Sequence, residues 1–195
     1  SDYIAKMTEK HDPQWKQSFD AGKAKKVDSP CFYERDIHGG PLDDTIFDVR
    51  GSVGQLIWCV TVCRPDVAMC VSTVSKLVSK PPTKGYISAI KKTIRYLYCT
   101  RDRGVGYSPE QEKDFVDTYT KLLKDEFTEL PKVNAFGDAG FANQWTTMNS
   151  TSGGLILWHG AQIAWRCKAQ TIRTYSSTES EYVSCSDLIT LSAST

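Results

Sequence analysis

The chain has 195 residues, 40% of them hydrophobic and 24% charged, with a formal net charge of +1. That is room for one domain or two small ones of ordinary globular composition. No apolar run approaches the ~20 residues of a membrane-spanning helix, which excludes a helical membrane anchor within the sequence.

Residues 1–50 combine a first helix, expected over Tyr3–Lys10, with proline, glycine and charge, including Asp28-Ser29-Pro30 and His38-Gly39-Gly40-Pro41; they read as a poorly organised lead-in. From Ser52 the pattern turns helical, with Leu56, Cys59, Val60 and Cys63 repeating at three to four. Pro65, allowed in a first helical turn, starts a second helix with the face Val67, Cys70, Val71, Val74, Leu77 and Val78, and Pro81-Pro82 ends it. A third begins after Thr83 and carries Ile87, Ile90, Ile94, Leu97 and Tyr98 on one side. Three amphipathic helices with short breaks bury their stripes against one another, so 51–107 is expected to be a small helical bundle.

Charge is uneven along the chain. From Lys76 to Arg103 eight cations face Asp102 alone, a local +7, whereas Glu110 to Glu129 carries −4. On the third helix Lys84, Lys91, Lys92 and Arg95 fall at offsets of seven, eight and eleven, on one side, as a phosphate-tracking surface requires. A solvated helix face has the same pattern. Residues 108–131, charged and weakly helical around Phe115, Tyr119, Leu122 and Leu123, read as an insertion or linker.

Three strands follow, over Val133–Phe136, Gly154–Trp158 and Gln162–Cys167, the last two joined as a hairpin through His159-Gly160-Ala161. The third is expected to continue through Thr171-Ile172-Arg173 into a helix near Ser177. The alternation of Lys132–Phe136, turning at Gly137, puts Asp138 at a strand exit. In the helix, Ser176 and Glu179 have capping-box spacing, which leaves Glu181 free; Thr178 and Glu181 have the same spacing, which would occupy it. Asp187, six residues after Glu181 and about 240° around the helix, is expected to face away from Asp138. Trp158 and Trp165 flank the hairpin, as packing residues by default or as base-stacking ones.

Seven cysteines (Cys31, Cys59, Cys63, Cys70, Cys99, Cys167 and Cys185) are odd in number and without paired two-residue spacing, which reads as reduced thiols and intracellular, cytoplasmic or nuclear, material. Cys59 and Cys63 lie four apart, but none of His11, His38 and His159 is near them in sequence, so buried thiols are preferred to zinc. Ser1-Asp2-Tyr3 has neither an initiating methionine nor an apolar signal core and is expected to be a cut from a longer product.

Four blocks in order, Phe136-Gly137-Asp138-Ala139-Gly140-Phe141-Ala142, Asn149–Gly154, Ile163–Gln170 and Ser176–Tyr182, resemble the ribonuclease H domain of Ty1/copia-type retrotransposon Pol polyproteins. Upstream, Gly51–Trp58, Thr61–Ala68, Ser79-Lys80-Pro81 and Ile94–Thr100 are similar to the reverse transcriptase thumb and connection that follow the polymerase palm in the same polyproteins. The resemblance implies an α+β chain: a helical bundle over 51–107, then over 132–195 a truncated ribonuclease H-like mixed β-sheet with one helix. It implies hydrolysis of RNA in RNA–DNA hybrids, with Asp138 bridging two Mg²⁺ (or Mn²⁺) ions and Glu181 holding one, and with Lys84, Lys91, Lys92 and Arg95 on the nucleic-acid backbone. The rest of the Pol polyprotein would be the partner, and no membrane is involved. Gly140 and Phe141 stand where the family commonly has an acid and a tryptophan, and Met148 and Asn149 where it has a basic pair. The further acids of the family would fall after Thr195 and the polymerase aspartates before Ser1. The chain alone is therefore expected to bind no metal and to be inactive, with an unpaired edge along Val133–Phe136; the alternative is a non-catalytic nucleic-acid-binding module.

Overall fold

Two capping side chains start the long helices of the first half: Asp48 accepts from the Gly51 N–H at 2.9 Å, and Thr83 from the Tyr86 N–H at 3.0 Å. The computed structural model describes residues 2–32, 37, 40, 47–123, 132–144 and 147–194, and divides into two units, Ser1–Gly104 and Val105–Thr195. The first contains α1 (Asp2–His11), α2 (Pro13–Asp20), α3 (Val49–Val62), a 3-10 turn at Pro65–Val67 leading into α4 (Ala68–Ser75), and α5 (Lys84–Cys99). The second contains α6 (Pro109–Leu123), β1 (Val133–Gly140), β2 (Thr151–Trp158), β3 (Ala161–Ala169) and α7 (Ser177–Ala193). The chain is α+β. No helix among the described residues is long and apolar enough to cross a membrane.

In the first unit the three-to-four spacing of α5 buries Ile90, Ile94 and Leu97 completely, against Leu56 of α3 and Val71 and Val74 of α4. Each such side chain contributes about 1.5–3 kcal/mol by leaving water. Tyr86 is buried with them; its hydroxyl donates to the Val74 carbonyl at 2.7 Å, and burial pushes its pKa up to about 12. The expected lead-in is not a loose appendage: Ile4 and Met7 of α1 are buried in this same core, and Trp15 and Phe19 of α2 pack on Tyr98. The α1 stripe was legible as a helix. Its partner face, about ninety residues on, was not.

Arg64, between α3 and the 3-10 turn, is 1% exposed. Its Nε and Nη2 donate to the two Asp66 carboxylate oxygens at 2.9 and 2.7 Å, and its Nη1 and Nη2 to the carbonyl and hydroxyl of Thr100 at 3.0 and 2.7 Å. The fork thus ties the α3–α4 corner to the end of α5.

Among its described residues the second unit holds a three-stranded sheet ordered β1-β2-β3, antiparallel throughout, with β1 at an edge. The mixed sheet expected from the resemblance is corrected on this point: each described strand follows its neighbour through a short connection, which makes the pairing antiparallel. The hairpin turn is His159-Gly160, both at positive φ (48° and 81°), the two-residue geometry that matches strand twist. Gly160 also has no room for a side chain, since a β-carbon there would lie 2.7 Å from Phe115 Cβ. By that contact the helical start of 108–131, expected to be an insertion or linker, packs on the sheet. α6 lies against one sheet face through Phe115, Tyr119 and Phe136, with ring centroids 4.5 and 5.5 Å apart along the series. The rest of that segment lies outside the described residues. β3 ends at Ala169, short of the expected continuation through Arg173.

Candidate active site

α7 is opened by Ser176, whose Oγ accepts from the Glu179 N–H at 3.1 Å, while Glu179 Oε2 accepts from the Tyr175 N–H at 2.7 Å. Of the two caps with the right spacing, the structure thus uses Ser176, and its glutamate reaches back one residue further than in the usual box. Glu181 takes no part in the cap and is exposed.

The helix lies on the sheet through small residues. Ser180 and Ser184, one turn apart, are buried, and the Ser184 hydroxyl donates to the Asp138 carbonyl oxygen at 2.7 Å. Gly137 and its cross-strand partner Gly154 face the same helix: a β-carbon on Gly137 would lie 3.0 Å from Leu188 Cδ2, and one on Gly154 3.2 Å from Leu188 Cδ1. Gly137 is therefore not the expected turn. It is a mid-strand glycine, required by the closeness of α7, and Asp138 sits inside β1 rather than at its exit.

Strand alternation sends Asp138 to the face opposite Gly137, the face on which Phe136 meets Tyr119. Asp138 is exposed, as is Glu181. The structure brings the backbone of Asp138 within one helical turn of Glu181, through Ser184, and starts the two carboxylates from different sides of the sheet. Among the described residues no group of three His, Cys, Asp or Glu side chains could hold a metal.

Asp187 pairs with Lys168 of β3 at 2.6 Å. Burial pushes its carboxyl upward, but the Lys168 ammonium and the nearby Arg166 outweigh it and hold the group below its ordinary value. Gln170, 1% exposed, donates to Ser152 Oγ at 3.1 Å and the Ser180 carbonyl at 2.9 Å, fixing the first turn of α7 to the sheet. Neither group was singled out from sequence as part of the frame around the acids; the Ser180–Ser184 spacing was the signal available.

Of the four cations expected to track phosphates, Lys84 is exposed. Lys91 Nζ lies 3.5 Å from Asp12 Oδ1, and Arg95 Nε 2.6 Å from Asp12 Oδ2, with their charges over the rings of Phe47 and Trp15. Lys92 Nζ donates to the Cys31 carbonyl. The expected open stripe is corrected accordingly: residues of the N-terminal segment occupy most of it, and Asp12, itself 5% exposed, neutralises part of its charge. The seven cysteines are not in disulfides, and burial, with Cys63 nearby, pushes the Cys59 thiol up to about 11.

Comparison with known proteins decides the ancestry. The chain is 32% identical over 139 residues to Secreted RxLR effector protein 161 of Plasmopara viticola, across 70% of this chain and 82% of that protein. It is 26% identical over 136 residues to the retrovirus-related Pol polyprotein from transposon TNT 1-94 of Nicotiana tabacum, and 29% identical over 146 residues to that from transposon RE2 of Arabidopsis thaliana. Over about 70% of its length the chain is thus similar to Ty1/copia-type retrotransposon Pol polyproteins. The match takes in 70% and 75% of the chain but only 9% of each of these polyproteins, so the chain spans a small part of their length. No family model matches the chain, and no solved structure matches it. The likeness to Pol polyproteins therefore rests on sequence, and Secreted RxLR effector protein 161 is matched over a similar share of the chain.

Proposed function

We propose that this fragment of a Pol polyprotein carries, over residues 132–195, the opening part of a ribonuclease H-type domain, in which Asp138 and Glu181 are two of the acids that would hold Mg²⁺ or Mn²⁺ for hydrolysis of RNA in an RNA–DNA hybrid. What carries the reading is the local geometry of α7: a cap completed by Ser176 and Glu179 leaves Glu181 unspent, and Ser184, three residues on, is bonded to the Asp138 carbonyl. Pol ancestry and the order of the four blocks support it.

The donor set is right in kind and short in number. Mg²⁺ prefers carboxylate oxygens, and a pair of ions needs several of them; Asp138 and Glu181 supply two groups that begin on different sides of the sheet. No hydrolytic step is assigned to this chain alone. Its role is that of a part, completed by other segments of the polyprotein, with the hybrid backbone as the substrate of the whole.

The test is cleavage of a labelled hybrid in Mg²⁺ and in Mn²⁺. The chain alone should leave the hybrid intact. A fusion adding the segment that follows the matched region in a Pol relative should cleave, and lose cleavage in both Asp138→Asn and Glu181→Gln. Cleavage by the unfused chain refutes the incompleteness; a fusion that cleaves equally well in both variants refutes the assignment of the acids.

A further inference from the structure

A second place in the β-sheet unit has the chemistry of a binding site and owes nothing to Asp138 or Glu181. A cleft of about 460 Å³ opens between the start of α6 and the β2–β3 turn, with Tyr107, Pro109, Gln111, Glu112, Trp158 and His159 among its walls. Trp158 pairs with Val133, at the other end of β1 from Asp138 and five residues away, ~17 Å along the strand.

Two aromatic side chains here are left in the open. Trp158 is 50% exposed and Tyr107 66%. Neither is adrift: the Tyr107 hydroxyl donates to the Gln162 carbonyl at 2.9 Å, and the Trp158 ring meets that of His159 at 5.4 Å and 61°. Between them His159, held at φ 48° by the tight turn, places Nδ1 2.7 Å from Glu112 Oε1. Fixed rings with exposed faces are what stacking requires, because the entropy of ordering them has already been spent in folding.

The polar groups decide the class of ligand. A carboxylate has about four acceptor positions, and His159 takes one; the others, with the Gln111 amide, form an edge that accepts and donates hydrogen bonds. His159 Nδ1 lies against one Glu112 oxygen, which leaves the other to accept from the donor edge of a planar ring. We propose that this cleft binds an unpaired guanine base, stacked on Trp158 and Tyr107, with its N1–H and exocyclic amine donating to Glu112. Guanine is the base whose Watson–Crick edge offers two adjacent donors to one carboxylate. Stacking is indifferent to which base is bound, and Glu112 supplies the preference.

The experiment is a tryptophan-fluorescence titration of the full chain with guanosine 5′-monophosphate, adenosine 5′-monophosphate, ribose 5-phosphate, a guanine-containing single strand and a trimethyl-lysine peptide. Saturable quenching by the guanine nucleotide, stronger than by the adenine one and absent with ribose 5-phosphate, is expected; quenching by the single strand alone would place the guanine in a polymer rather than a free nucleotide. Trp158→Leu, read by titration calorimetry because it removes the reporting tryptophan, should weaken binding about tenfold, and Glu112→Gln, at a half-exposed position, should erase the preference for guanine while circular dichroism stays unchanged. The proposal is overturned if no guanine ligand quenches saturably, if ribose 5-phosphate or the peptide binds as well, if Trp158→Leu binds undiminished, or if Glu112→Gln keeps the preference. None of these results bears on cleavage by a completed nuclease, so the two readings fail separately.

Discussion

Removing either member of the Arg64–Asp66 pair breaks the same two hydrogen bonds, yet the two losses should be unequal. The Arg64 side chain is 1% exposed and that of Asp66 38%. Asp66→Ala leaves a guanidinium buried and without its counter-charge, bonded only to Thr100, and breaking a buried pair in that way costs about 3–5 kcal/mol. Arg64→Met leaves a carboxylate that reaches water and still accepts from the Tyr96 hydroxyl at 3.0 Å, and a Thr100 carbonyl that still accepts from the Arg103 N–H at 2.9 Å. Its cost should be nearer about 1–2 kcal/mol, since each partner left behind reaches water or keeps another bond, with some loss of stem packing. For a unit of this size each kcal/mol lowers the melting temperature by about 4–8 °C, well within reach of calorimetry on the full chain. The pH dependence supplies a second arm. Burial raises the Asp66 carboxyl, but the Arg64 guanidinium and the Tyr96 hydroxyl prevail and hold it below its ordinary value. A depressed carboxyl stabilises the fold above the unfolded value of about 3.9 and loses that contribution as pH falls below it, so the gap between wild type and Asp66→Ala should narrow in that window and be constant above it. A melting temperature for Arg64→Met as low as that for Asp66→Ala would refute the reasoning, since it would place the electrostatic cost on the acid.

The N-terminal cover of α5 gives a contrast among charge reversals: Lys84→Glu should change stability by no more than about 0.5 kcal/mol, whereas Lys91→Glu with Arg95→Glu sets two new carboxylates beside buried Asp12 and should cost at least about 3 kcal/mol. Thermal melts that show equal, small effects would mean that Asp12 keeps its water. At the sheet, Gly137→Ala puts a β-carbon 3.0 Å from Leu188 Cδ2 and should cost about 1–3 kcal/mol as α7 is pushed outward; an unchanged urea midpoint would show that the helix has slack over β1.

The sequence was most informative where neighbours in the chain decide the outcome. Thr83 and the spacing of Ile90, Ile94 and Leu97 define α5, the pair His159-Gly160 defines the hairpin, and Ser176 with Glu179 defines the start of α7. It was least informative where the deciding partner is remote. Nothing near Lys91 and Arg95 announces Asp12, about eighty residues earlier, so a stripe of cations reads as open when an acid covers it. The acids along α6 made it resemble a linker, because its useful face is only Phe115 and Tyr119 and the surface that they meet, Phe136, lies beyond the next break. Gly137 reads as a turn because glycine permits one; the reason for it, a leucine from α7 pressed against the strand, belongs to tertiary structure. For the acids, spacing left two caps open until the structure showed Ser176 in use, and it gave no sign of the sheet face on which Asp138 emerges, since that depends on the strand running through Gly137 to Gly140.

The His159-Gly160 turn has a kinetic consequence. With both residues already in the left-handed region, the hairpin closes a loop of two residues, whereas β1 joins β2 only by closing the stretch from Gly140 to Thr151, and α7 must then fold back over both. The hairpin is therefore expected to close first, and the amides paired between β2 and β3 should exchange with solvent more slowly than those on the outer side of β1. On that order the strand that carries Asp138 would be secured last, by α7 through the Ser184 hydroxyl.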